Sequence, residues 1–442
     1  MNGRVPGRGG YRRDVNPTSD PGPALSDHGE ATDAVAPINE VRGLGVLIAQ
    51  LTDRIVDPIE GTHRAFTDRA FRVVGASADP VRKVHDGLVG VLYDSIRLAG
   101  TALGVGVSIG GIAAGRGRDL RPISRSAGGS GFIATVNGVI GDQLEAERSE
   151  LSIGMGIRDL DGAVVTPRRD GLGRAFPDAT PRLVVMVHGL VETERCWRGR
   201  KDDDEIEVPA LGERLFESLG FTPLTIRYNT GRRISRNGED LAHLLDQIVA
   251  EWPQPVESIA LVGHSMGGLV ARSAAHAARE SGHAWIAALR HVVTLGTPHL
   301  GSVVEKAVSV LSRGLRITAE GRPLADFLDA RSVGIKDLRF GAVVEDDWSG
   351  IDSDALFPDP VGDLAPVDGV GYHFVAGAIT TDPRHPFGVL VGDWMVRVPS
   401  GTGRGRRRRV EATNVHVLGG RHHFDLLHDP AVHDQICDWL AD

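Results

Sequence analysis

One hexapeptide carries chemistry on its face: Gly263-His264-Ser265-Met266-Gly267-Gly268. A serine hydroxyl becomes a useful nucleophile when a base can take its proton and when the backbone holds it clear of bulky neighbours. Gly263 and Gly267 leave room for a sharp, strained turn around Ser265. The flanks suit such a turn. Ser258–Val262 is an apolar run that reads as a strand buried on both faces, and Met266–Glu280 reads as a helix. A serine at that junction is presented above the edge of a sheet.

Attack on a carbonyl also needs donors for the negative charge that develops on its oxygen. Arg182–His188 is another buried strand, and it ends in His188-Gly189-Leu190. The Leu190 amide supplies one donor. Met266, at the helix N-terminus where the dipole favours an anion, supplies the second. His188 itself reads as a buried hydrogen-bonding spacer.

The base and its orienting carboxylate are expected downstream, acid before histidine, on loops after later strands. Asp393 is the candidate acid, within Gly392-Asp393-Trp394-Met395-Val396, and Asp382 is the reserve. Gly419-Gly420-Arg421-His422-His423-Phe424 lies between the last strand and the last helix, where such a base belongs. Spacing leaves His422 and His423 open, with His416 and His428 less well placed. His188, Gly189, His264, Trp197 and His299 are the candidate substrate-contacting residues, and for His299 a loop-fixing hydrogen bond is the favoured reading.

These residues need a scaffold, and the chain alternates strand-like and helix-like segments from about Phe132 onward. Phe221–Tyr228, His291–Leu295, Tyr372–Ala376 and Asn414–Leu418 read as further strands, with helices at Glu239–Trp252 and Ala431–Leu440. That alternation predicts an α/β fold with a mostly parallel sheet and helices on both faces.

Upstream the texture differs. Residues 1–38 are rich in Gly, Pro, Asp, Ser and Arg and read as a disordered tail. Residues 39–116 read as a helical accessory region, with Leu44, Leu47, Ile48, Leu51 and Ile55 at helical spacing. The region closes on Leu98–Gly115, uncharged and containing six glycines. Its length approaches the roughly 18–20 residues that cross a bilayer. Packing against the protein itself is the preferred reading, with spanning a membrane or peripheral contact with one as the alternatives. Residues 117–148 read as a linker and lead-in segment, and 149–442 as the catalytic domain. An insertion at 302–370, amphipathic at Val303–Leu315, is a candidate lid.

Composition narrows the classes. Among 442 residues, 58 acidic against 49 basic give a net charge of -9, which argues against a nucleic-acid partner. Two cysteines, Cys196 and Cys437, are too few for a disulfide framework or a cysteine zinc site, and no HExxH occurs. The reading requires no cofactor and no metal. Met1–Asp20 has no apolar core, so the expected location is cytoplasmic.

From about Ser149 to the end, the chain resembles the serine esterase/lipase branch of the α/β-hydrolase superfamily. It looks most like the GPI inositol-deacylase-like (lipase-like) proteins of bacteria. The motifs are LVVMVHGL with Trp197 shortly after, LVGHSMGGLVAR, VVTLGTPHLGS, GDWMV-x-VPS and HFDLLHDPAV, spread over roughly two thirds of the chain. The resemblance implies Ser265 as nucleophile, Asp393 as acid, His423 as base, and Leu190 and Met266 as the oxyanion hole. It places VVTLGTPHLGS at the mouth of the site. Trp394 stands where the family pattern has glycine, and Arg404–Arg409 lengthens the loop before the last strand. The implied activity is cleavage of a carboxylic ester, lipid-like in kind, through an acyl-enzyme. An acyltransferase on the same triad is the nearest alternative. A silent scaffold binding lipid or a protein partner is the alternative from another class.

Overall fold

The computed structural model describes residues 37–74, 79–115, 122–201, 207–302, 312, 315–316, 318, 322–348, 364–406 and 408–441. The expected tail, save its last two residues, and most of Val303–Leu315 lie outside them.

Ten strands are described. Eight form one sheet: β1 (Gly156–Arg158), β2 (Val164–Val165), β3 (Arg182–Val187), β6 (Phe221–Arg227), β7 (Ser258–His264), β8 (Leu289–Leu295), β9 (Gly371–Ala378) and β10 (Asn414–Gly419). A separate two-residue ribbon pairs β4 (Arg200–Lys201) with β5 (Glu207–Val208). Across the large sheet the order is β10-β9-β8-β7-β3-β6-β1-β2. The strands from β10 to β6 run parallel, while β1 is antiparallel to both β6 and β2.

The central strands are buried because both faces are covered. Leu183, Val185 and Val187 enter one apolar cluster, and Val184 and Met186 enter the other. The first cluster includes the inner faces of α6 (Ile234–Glu251) and α7 (Met266–Ser281). The second includes α5 (Leu211–Leu219) and the C-terminal helix α12 (Pro430–Ala441). From β3 the chain goes out to β6, then α6 carries it back past β3 to β7. Strand order reverses at β3, so a crevice opens at the carboxyl ends of β3 and β7, the place where open α/β sheets take their ligands.

The helix α6 begins five residues before the expected Glu239. Its first amide, on Ile234, donates to Asp337 Oδ2 at 3.0 Å, and Arg233 pairs with the same carboxylate. Asp337 belongs to α9 (Val333–Leu338), so the start of α6 is set from a distant segment. Burial pushes the Asp337 carboxyl up to about 6, against the pull of Arg233.

Before the sheet come α1 (Pro37–Val74) and α2 (Asp79–Gly115), which lie against one another. Glycine is what lets them approach. A Cβ on Gly104 would overlap the carbonyl oxygen of Gly45, and one on Gly100 would overlap Thr52. Arg97 ties the pair further, reaching Asp57 at 2.6 Å and Glu60 at 2.5 Å. Over His85–Ile109, α2 is long and apolar enough to cross a membrane, and Leu92, Ile96, Leu98, Leu103, Val105 and Ile109 are exposed along it.

The segment expected as a linker contains a helix, α3 (Ala127–Ala146). Its glycines lower intrinsic helicity by about 1 kcal/mol each relative to alanine, which is why its sequence reads as a connection. They also permit close docking: a Cβ on Gly138 would overlap the Val191 side chain, and one on Gly141 the Asn229 carboxamide. Ser126 caps the helix by accepting from the Gly129 amide at 3.0 Å. Buried Asn137 donates to the Leu151 carbonyl and accepts from the Ile153 amide, at 2.8 and 2.9 Å. Within the insertion, α8 (Arg322–Asp329) packs on α1 and α9 on α3. Ser332, which caps α9, donates from its hydroxyl to the Gly138 carbonyl at 2.6 Å.

Candidate active site

Ser265 lies between β7 and α7 with φ 53° and ψ −121°, a left-handed conformation that favours glycine. Three contacts hold it there. Its amide donates to the Leu295 carbonyl at 2.8 Å, its carbonyl accepts from Thr297 Oγ1 at 2.9 Å, and the Gly268 amide donates to that carbonyl at 3.2 Å. The turn fits only because Gly263 and Gly267 lack side chains: a Cβ on either would overlap backbone, of Gly267–Gly268 or of Val187–His188. Ser265 keeps 8% of its surface exposed in an otherwise buried turn.

Asp393 and His423 come from the loops after β9 and β10. Asp393 is 1% exposed and His423 2%. Asp393 Oδ1 accepts the amides of Met395 and Val396, at 3.0 and 2.8 Å, which pins the carboxylate. Its Oδ2 lies 2.8 Å from His423 Nδ1. A carboxylate only accepts, so Nδ1 carries a proton, and in the neutral ring the lone pair is on Nε2. That Nε2 is buried and has no hydrogen-bond partner among the described residues. The imidazole rests on Gly296, where a Cβ would stand 3.0 Å from the ring, and Gly296 follows the Leu295 carbonyl that anchors Ser265. Ser265 and His423 therefore flank one short segment.

Trp394 takes φ 80°, which accounts for glycine at this place in the family pattern. It turns outward, 60% exposed. The reserve acid Asp382 is exposed and accepts the Arg384 amide in a local turn. Among the competing histidines, His422 is exposed and His416 is half-buried near Trp439. Burial, with Arg200 and His433, pushes His428 down to about 4.

In the loop after β3, Gly189 lies directly against Ser265; a Cβ there would stand 2.9 Å from Ser265 Cβ. The amides of Leu190 and Met266 donate to no partner among the described residues. His188 is fully buried, stacked on Tyr228 with centroids 4.6 Å apart, and its Nδ1 donates to the Gly189 carbonyl at 2.9 Å. Burial lowers its pKa, so it is a neutral spacer. His264 is packed beside His423, its ring centroid 4.8 Å away.

Two candidate substrate contacts lie elsewhere. Trp197 is buried in the apolar cluster of Val184, Met186, Leu211 and Leu215. His299 is fully buried and stacks on Phe374 at 3.9 Å. Arg272 donates to its Nδ1 at 3.2 Å, so Nε2 carries the proton and donates to Thr294 Oγ1 at 3.1 Å. Burial and the Arg272 charge hold its pKa well below the ordinary value, so His299 is a neutral strut.

Three further residues lie near Ser265, Asp393 and His423; two of them, Gly296 and Thr297, belong to VVTLGTPHLGS, where the sequence assigns them no individual role. Thr297 supports the Ser265 turn, Gly296 makes room for the His423 ring, and Glu192 bonds both the Gly189 amide and His264. Glu192 stands three residues past Gly189 in a loop otherwise read for its amides; a carboxylate at that offset is the hint available in sequence.

Residues 178–321 match the family described as "Putative serine esterase (DUF676)". No curated protein matches. Among solved structures, the chain is similar to the lipase BlEst2 of Bacillus licheniformis, at 20% identity over 59% of this chain and 91% of that one, TM-score 0.37. A lipase of Staphylococcus hyicus is 13% identical over 60% and 95%, TM-score 0.34. The thioesterase RedJ of Streptomyces coelicolor, from the prodiginine biosynthetic pathway, is 20% identical over 60% and 87%, TM-score 0.33. Sheet order and the serine turn together give this chain an α/β-hydrolase architecture, serine-esterase-like through residues 178–321.

Proposed function

We propose that the chain hydrolyses carboxylic esters, lipid-like ones in particular, with Ser265, His423 and Asp393 as a catalytic triad. The observation that carries this reading is the state of His423: Nδ1 held by Asp393 at 2.8 Å, and Nε2 buried and unpartnered beside the segment that anchors Ser265. His423 Nε2 takes the hydroxyl proton as Ser265 Oγ attacks the ester carbonyl carbon. The resulting oxyanion is received by the amides of Leu190 and Met266. The imidazolium returns its proton to the departing alkoxide, leaving an acyl-enzyme on Ser265. Water then gives a proton to His423 and attacks the acyl carbon, and Ser265 leaves with that proton as the acid is released. The serine-esterase profile over residues 178–321 supports this reading. Exposed Val191, Trp394 and Phe424, each beside a member of the site, support an apolar substrate.

The experiment is a series of p-nitrophenyl esters of increasing chain length, combined with a fluorophosphonate probe and peptide mapping. Turnover that rises with chain length and a single adduct on Ser265 are expected. A folded protein that neither turns over any ester nor takes the probe would overturn the reading.

The apolar exposed side of α2 supports a further part of the proposal, peripheral contact with a lipid surface. Vesicle-bound protein is expected to be stripped by alkaline carbonate. Retention after carbonate would instead point to a spanning α2.

A further inference from the structure

The loop after β3 carries a carboxylate that the triad does not use. Glu192 Oε2 accepts the Gly189 amide at 2.6 Å and lies 2.8 Å from Nδ1 of His264. The other ring nitrogen of His264, Nε2, lies 3.3 Å from the His423 carbonyl oxygen. His264 is fully buried. One carboxylate and one imidazole therefore join three loops: the oxyanion loop, the nucleophile turn and the loop that bears the base.

Both ring nitrogens of His264 face oxygens that only accept. A neutral imidazole has a single N–H and would set a lone pair against one of them, whereas the imidazolium donates to both. Burial opposes that charge, but the Glu192 carboxylate and the His423 carbonyl outweigh it and raise the pKa of His264. Burial likewise works against the Glu192 carboxylate, and His264 with the Gly189 amide overcomes it, holding its pKa below the ordinary value. Further along the same loop Glu194 is paired with Arg227, and Arg200 lies beyond His428; the other titratable groups near the pair are neutral or belong to the proposed triad. Burial keeps His188 neutral and the Cys196 thiol protonated, and His428, pushed down to about 4, is neutral as well. Asp393 and His423 complete the set.

We propose that Glu192 and His264 are positioning residues, a charged clasp that holds the Leu190 amide and the His423 loop against Ser265 and balances the charge beside the base. The proposal rests on the hydrolase reading above. The clasp fixes Gly189 through a short charge-assisted bond, and the next amide along is that of Leu190. A shift of about 1 Å in such a donor costs on the order of 10²-fold in rate. The charges have a separate effect. Removing only the His264 charge leaves the Glu192 carboxylate unbalanced near His423, which favours the protonated base and moves its titration upward. Removing both charges restores the balance.

The test uses H264Q, E192Q and the double variant with p-nitrophenyl butyrate. Each single variant is expected to lose about 10- to 100-fold in kcat with KM changed less than about twofold. The acid limb of kcat/KM should move to higher pH in H264Q and return to the wild-type position in the double variant. A residue that merely filled space would not give that pattern. Nitrogen-15 NMR of histidine-labelled wild-type protein at pH 7.5 gives a readout independent of turnover: an imidazolium signal that is missing from H264Q and becomes a neutral one in E192Q. An unmoved acid limb in H264Q, or a neutral His264 in the wild type, overturns the clasp. Absence of ester turnover in the wild type would defeat the hydrolase reading instead, and the NMR signal would still decide the charge state of the pair.

Discussion

Replacing Ser265 with alanine is expected to lower kcat for ester hydrolysis by a factor on the order of 10⁶, because triad members act as a unit and the loss of one removes most of what the set contributes. The residue that remains would be the rate sustained by the oxyanion amides and by binding, on the order of 10³–10⁴ above water. Steady-state kinetics with p-nitrophenyl butyrate and the fluorophosphonate adduct measure this directly. A fall of less than about a hundredfold, or an adduct of wild-type intensity on the alanine variant, would remove Ser265 from the chemistry. The same position makes a second, opposite demand on stability. Serine is held at φ 53° and ψ −121°, a conformation that costs a residue with a Cβ about 1–3 kcal/mol. Alanine keeps that Cβ and should melt with the wild type. Glycine releases the strain, so Ser265→Gly is expected to be inactive and to melt a few degrees higher, since about 1 kcal/mol moves a domain of 150–250 residues by roughly 2–4 °C. The contrast between the two variants separates a strained nucleophile from a serine that happens to cap a helix.

The scaffold of this site was legible where local pattern and final structure agree. Leu183–Val187 and Ile259–Val262 are unbroken apolar runs, and both are buried on two sides. Ser265 was legible for the same reason, as strand, glycine, serine and helix follow one another without a break. The choice between His422 and His423 was not. The two are adjacent in a loop, and only tertiary contacts tell them apart: His423 turns in against Asp393 and Gly296, while His422 stays exposed. Glu192 was missed because its partner lies 72 residues away. Read alone, a carboxylate in a polar loop is a solvated one.

The helix α3 was hidden by a conflict between levels. Its glycines argue against a helix in isolation, yet they are what bring it onto Val191 and Asn229. Docking supplies the stability that propensity withholds. The result ties the N-terminal region to the oxyanion loop: α3 touches Val191, one residue from the Leu190 amide, and holds Ser332 of the segment inserted after β8. What reads along the chain as a linker is, in space, a helix packed against Leu190 and Val191.

Asp393→Asn is expected to reduce kcat by about 10⁴ while leaving the fold intact. The reason lies in the two oxygens of the carboxylate. Oδ1 accepts from the Met395 and Val396 amides, at 3.0 and 2.8 Å, and Oδ2 meets His423 Nδ1 at 2.8 Å. An asparagine must keep its one carbonyl oxygen toward the two backbone amides, since the opposite orientation would set N–H against N–H. Its NH₂ group then faces His423, donates to Nδ1 and forces the ring proton onto Nε2. In that tautomer Nε2, the nitrogen proposed to take the Ser265 proton, has no lone pair to accept it. Asp393→Ala tests a different link. It frees the tautomer but leaves the buried Val396 amide and the partly buried Met395 amide without an acceptor, the buried one costing about 1–3 kcal/mol. The alanine variant should therefore melt several degrees below the wild type, and the asparagine variant close to it. If asparagine kept activity within tenfold of the wild type, the orienting acid would have to lie elsewhere, and the tautomer argument for His423 would fail with it.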